Sequence, residues 1–238
     1  LPVLILGGLG FVDTLGNDSL AGVYVAFLSA LALWGWIELA FLTGVITGPV
    51  RQPLRDGVPE WERFIRAWGT IAYHEMLLAF TLITMIVASV GAENKFGMWT
   101  FAVLFAARIS AKLNLYLGVR KINVEFIPEH LNHLPSHFRI ARMNWLFPIS
   151  ITGLSVAAAY WLGHVAATGT PACFLERVWF AESQADVIGF ALLSALTALA
   201  LLEHWFMVLP LPDERLWRWM LPDRSTPTQA MKTSEEAP

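Results

Sequence analysis

The stretch GTIAYHEMLLAFTLITMIVASVG, residues 69–91, is 23 residues long and carries one formal charge, Glu75. At that length and composition it reads as a helix crossing a hydrocarbon layer of about 30 Å. Two further stretches repeat the pattern. LALWGWIELAFLTGVITG, residues 31–48, holds Glu38, and ALLSALTALALLEHWFMVLPL, residues 191–211, holds Glu203. A carboxylate near the bilayer centre costs roughly 2.5 to 3.5 kcal/mol on insertion scales, so each marks an interhelical pairing or a working site.

Working outward, apolar runs cover residues 20–48, 69–91, 96–119, 145–168 and 187–211, while 1–12 is apolar but too short to span alone. Hydrophobic residues make up 56% of the chain, charged residues 15%, and the mean hydropathy is +0.54, which places it among integral membrane proteins. The expectation is an all-α polytopic membrane bundle over 1–211, with about five complete transmembrane helices and a truncated N-terminal one at 1–12. A first residue of Leu rather than Met, with no basic n-region, fits the end of a longer helix better than a signal peptide. Residues 212–222, with Leu216, Trp217, Trp219 and Met220, read as an interfacial amphipathic segment, and 223–238 as a disordered tail.

Basic residues set the orientation. Arg51, Arg55, Arg63 and Arg66 fall in one connection, Arg120, Lys121, Arg139 and Arg142 in another, and Arg215, Arg218, Arg224 and Lys232 in the tail. The alternate connections hold only Lys95 and Arg177. By the positive-inside rule the three basic segments, the C-terminal one included, are cytoplasmic. The single Cys173 excludes an internal disulfide and a thiolate-rich metal site. Phosphate-binding glycine motifs and a G-x-S-x-G elbow are absent, and the basic loops lack the interleaved aromatics of a nucleic-acid binder. Gly44 with Gly48, Gly153 with Ala157, and Ala159 with Gly163 have the spacing of close helix approach.

A rise of 1.5 Å per residue from each cytoplasmic end puts Glu38, Glu75, Lys112 and Glu203 at roughly 9 to 15 Å depth. Arg108 lies one turn deeper than Lys112 on the same helix face, Asn114 is nearby, and the imidazoles of His74 and His204 adjoin two of the acids. One reading is a layer of interhelical ion pairs that orients the bundle. Another adds FIPEHLNHLPSHF, residues 126–138, whose Glu129 and His130 would complete a carboxylate-and-imidazole set for a di-iron or other metal centre. The Glu-x-x-His spacing of such centres is missing, however, and Leu78 stands where a zinc protease would need its second His. His133 and His137 read as solvated or interfacial, and His164 as packed or interfacial.

The strings RISAKLNLYLGV (108–119), EFIPEHL (125–131), MNWLFPIS (143–150) and LEHWFMVLPLPDERLWRWML (202–221) resemble the PuhE-type photosynthetic-complex assembly proteins of phototrophic proteobacteria, with the likeness running from about Ala26 to Leu221. The resemblance implies an inner-membrane factor that assembles the reaction-centre and light-harvesting complex or modulates bacteriochlorophyll supply to it. It implies as partners the photosynthetic-complex subunits or pigment-biosynthesis proteins, and in the intact protein a further membrane segment ahead of Leu1. The positions it carries are Glu38, His74, Glu75, Lys112, Asn114, Glu129, His130, Glu203 and His204. On that footing His74 or His204 could donate an imidazole nitrogen to the magnesium of bacteriochlorophyll or a precursor. The alternative is a membrane di-metal oxidoreductase acting on a tetrapyrrole or an isoprenoid.

Overall fold

A computed structural model describes residues 1–120, 122, 127–168 and 181–209. The segment 212–222, the tail and Cys173 lie outside the described residues. The described chain is all-helical: α1 Pro2–Thr14, α2 Leu20–Leu42, α3 Glu60–Ala88, α4 Phe96–Leu117, α5 Leu146–Thr168 and α6 Ala181–Phe206. The last five are long and apolar enough to cross a membrane, and α1 is a shorter apolar helix. The protein is thus a multi-pass membrane helix bundle. Its outer faces stay apolar, with Leu28, Phe80, Ile83, Val156 and Leu199 all exposed, as suits contact with lipid.

Helix α2 is the hub, packing against α1, α3, α4 and α6, while α5 lies mainly along α6. The core runs through Ala30, Leu33 and Ile37 of α2, Leu78 and Met85 of α3, and Met98 and Phe101 of α4. Local chemistry sets the helix ends. The Ser19 hydroxyl accepts from the Gly22 amide at the start of α2, and the Asn144 carboxamide oxygen accepts from the Leu146 and Phe147 amides at the start of α5. Asn144 also donates to the Gly118 carbonyl, tying α5 to the end of α4.

Helix limits differ from the hydropathy reading in α2, α3 and α6, the last running Ala181–Phe206 rather than 187–211. Helix α3 begins at Glu60 rather than Gly69, because its first turns extend past the hydrocarbon as an amphipathic stretch, with Glu62 and Arg66 paired at 2.7 Å across one turn. Helix α2 stops at Leu42 rather than Gly48. Thr43 bonds back to the Leu39 carbonyl, and Gly44 takes a left-handed φ of +76° that few other residues tolerate. Gly44 and Gly48 are therefore not a helical small-residue pair, and Gly153 and Gly163 face open space.

Beyond Gly44 the chain folds back onto α3 as a non-helical strap. The Val50 amide donates to the Gly69 carbonyl and the His74 amide to the Thr47 carbonyl, each at 3.1 Å. A Cβ on Gly48 would meet the backbone of Gly69, Thr70 and Ile71. This contact holds α3 in place where it carries His74 and Glu75.

Candidate functional site

The three intramembrane carboxylates face α4, each toward a cation. Glu38 Oε1 lies 3.3 Å from Arg108 Nε, and Arg108 Nη2 reaches Glu38 Oε2 at 3.4 Å. Lys112 donates to Glu75, with both side chains largely buried. Arg108 Nη1 also comes to 3.9 Å from Glu203, a loose pairing. His74 sits behind this layer with no exposed surface, its Nε2 3.7 Å from Glu38 and its ring 4.6 Å from that of Phe41.

His204 and Asn114 belong to a separate polar knot. His204 Nε2 is 2.9 Å from the Ser110 hydroxyl, and Nδ1 is 2.8 Å from the Ala200 carbonyl. Asn114 donates to the Ser110 carbonyl and the Ser150 hydroxyl. Adjacent helical residues lie about 100° apart, so when Glu203 turns toward Arg108 its neighbour faces the α4–α5 side.

The loop contradicts several expectations. Glu129 and His130 lie on an exposed 3₁₀ turn, Glu129–Leu131, where His130 packs over Gly44 and not against the charged layer. His133 and His137, expected to be solvated or interfacial, are buried against protein, because the turn Leu134–His137 folds onto α3. Arg63 supplies the anchor, donating to the Tyr116 carbonyl at 2.8 Å and the His137 carbonyl at 3.0 Å while its guanidinium lies 4.2 Å over the Tyr116 ring. Sequence reading took Arg63 for a topology signal; its place among Trp61, Phe64 and Ile65 in the amphipathic start of α3 was the available clue. Arg63→Met should free this loop at a cost of about 2 kcal/mol, since two charge-assisted bonds are lost. Faster amide exchange in 127–138, with the helices unchanged, would show it.

Burial pushes both loop imidazoles below their ordinary value of 6.5. For His133 the neighbouring His137 and Arg51 add to this, and for His137 the neighbouring Arg63 and Arg66 do, against an opposing bond to the His133 carbonyl. The undocked loop therefore binds more protons than the docked one below pH 6.5. Docking is at full strength above that pH and weakens as pH falls through and below it. Amide protection of residues 131–138 should drop between pH 7.5 and 5.5, and a pH-independent pattern would contradict this assignment.

Between α3 and α4, roofed by this loop and walled on one side by α6, runs a groove of about 730 Å³. From Phe64 to Ala79 along α3 it extends about 22 Å. It opens past Phe64, Trp68 and Met76, half-exposed apolar residues on the lipid-facing side. Glu75, Arg108, Lys112 and Glu203 form a polar band in its wall, with Ala79 and Phe105 beyond and Ile71, Leu134 and Phe138 before. Sequence reading missed this groove because its lining comes from five separated segments.

A di-metal centre does not fit these donors. Among the described residues no three His, Cys, Asp or Glu side chains come together to hold a metal ion. Arg108 and Lys112 are instead the positive partners of Glu38 and Glu75. Histidine ligation of a macrocyclic magnesium also meets obstacles, for His74 is sealed and both ring nitrogens of His204 are engaged.

Fold and site together define a polytopic membrane protein with a charged band set in a lipid-side groove. The chain belongs to the family described as "Protein of unknown function (DUF3623)", whose model matches residues 1–228. It is 51% identical over 231 residues to the "Uncharacterized 30.4 kDa protein in puhA 5'region" of Rhodobacter capsulatus, a match covering 97% of this chain and 80% of that protein. No solved structure matches it.

Proposed function

We propose that the protein acts in assembly of the photosynthetic reaction-centre and light-harvesting complex, as a PuhE-type factor that holds bacteriochlorophyll or a precursor and passes it to complex subunits or pigment enzymes. On this reading it sits in the bacterial inner membrane with its arginine-bearing end and C-terminus cytoplasmic, as the loop charges favour. The Rhodobacter capsulatus relative is described as lying in the puhA 5' region, which supports the setting.

The groove carries the pigment reading. A phospholipid needs its polar end at the membrane surface, whereas here the polar band lies about 16 Å inward from Phe64, with apolar wall on both sides. That pattern suits a large flat apolar ring with a polar centre. Phe41, Phe64, Trp68, Phe105, Phe138 and Phe206 supply aromatic surface for it, and the volume lies in the ordinary range of small-molecule sites.

Protein purified in mild detergent from a phototrophic host should carry a macrocycle absorption band, and Trp68→Ala should diminish it. Colourless protein from pigment-producing cells would overturn the reading. Iron, zinc and manganese should each stay below about half an atom per chain, since a di-metal site would need one or two.

A further inference from the structure

The pigment reading leaves open which side chain meets the centre of the ring, and the charge inventory narrows the choice. Among the described residues, Glu38, Glu75 and Glu203 face two Lys or Arg cations, Arg108 and Lys112. Lys112 is engaged by Glu75, and Arg108 makes its closer contacts with Glu38, at 3.3 and 3.4 Å. Glu203 has Arg108 at 3.9 Å, beyond hydrogen-bond distance, and its side chain, which lines the groove, is 53% exposed. The excess negative charge falls on Glu203. A carboxylate against apolar surroundings with so weak a partner is poorly stabilised, and a Lewis acid would improve its position. Magnesium is a hard cation that favours oxygen ligands over imidazole.

We infer that Glu203 is the protein ligand for the central metal of a magnesium-loaded planar macrocycle seated in the groove, in place of either His74 or His204. The inference rests on the pigment reading and adds a selection rule, that the groove prefers the metallated ring to the metal-free one. Glu203 supplies the charge on one side. Arg108 and Lys112 remain with Glu38 and Glu75 and are not consumed by the guest.

The test titrates the full chain in mild detergent with magnesium protoporphyrin and with metal-free protoporphyrin, which carry the same carboxylate arms. Soret absorbance and quenching of tryptophan emission report binding. The magnesium form should bind about tenfold more tightly, with a shifted Soret band. In Glu203→Gln that preference should shrink to within about twofold while affinity for the metal-free ring stays the same. Because Glu203 is half exposed, this variant should keep the wild-type melting profile. His204→Asn should keep the preference. Equal affinity of the wild type for the two rings, or a preference that survives Glu203→Gln, overturns the inference and leaves the pigment reading standing. Failure of both rings to bind overturns the inference and the pigment reading together.

Discussion

Lys112→Met should destabilise the bundle by about 3 kcal/mol, the scale on which a buried ion pair responds to loss of one partner. The cause is less the lost attraction than the Glu75 carboxylate left in an apolar wall. Lys112 and Glu75 are each less than one-fifth exposed, so water cannot easily replace the missing partner. The double variant Lys112→Met/Glu75→Leu should recover most of the loss, because no charge is then stranded. Denaturant-induced unfolding in detergent, followed by tryptophan fluorescence, measures the full cycle. If both single variants are as stable as wild type, the pair lies in a wetter place than the structure gives it. Additive losses in the double variant would mean that the two residues act separately.

Gly48→Ala should be similarly damaging, at about 3 kcal/mol, the upper part of the range for overpacking a tight contact. Flexible side chains could swing away from a new methyl group, but here it meets main-chain atoms of Gly69, Thr70 and Ile71. Relief would require moving the strap off α3, breaking the Val50-to-Gly69 and His74-to-Thr47 hydrogen bonds. The readout is the yield of monodisperse protein and its melting temperature. Gly35→Ala, in the middle of α2, is the control, because nothing lies within 4 Å of its added carbon, and it should leave stability unchanged or raise it by up to about 1 kcal/mol. Equal effects at the two positions would refute the packing argument.

The two glycines also show where sequence reading ends. Spacing alone gave Gly44 and Gly48 the form of a helical contact motif, but their roles follow from a helix that stops at Leu42, which apolarity does not reveal. Hydropathy finds membrane spans because the hydrocarbon fixes their length, and it misplaces the start of α3 because the helix continues after the lipid ends. Depth along the axis is readable from a fixed rise per residue, which is why Glu38, Glu75, Lys112 and Glu203 could be set at one level before their partners were known. Rotation is not readable in the same way. Glu203 and His204 are neighbours, yet one meets Arg108 and the other Ser110, a choice made by the packing of α4, α5 and α6. The burial of His133 and His137 depends on Arg63, more than sixty residues away in sequence, and no local pattern announces such a contact.

The loop strapped down by Arg63 lines one end of the groove, and among the described residues an opening lies sideways past the exposed Trp68 and Met76 of α3. A guest loaded through that opening would come from within the lipid sheet and leave the same way, without crossing bulk water. Handover would then be a two-dimensional encounter between membrane neighbours, its rate set by how crowded the sheet is and by how often Trp68 and Met76 yield passage.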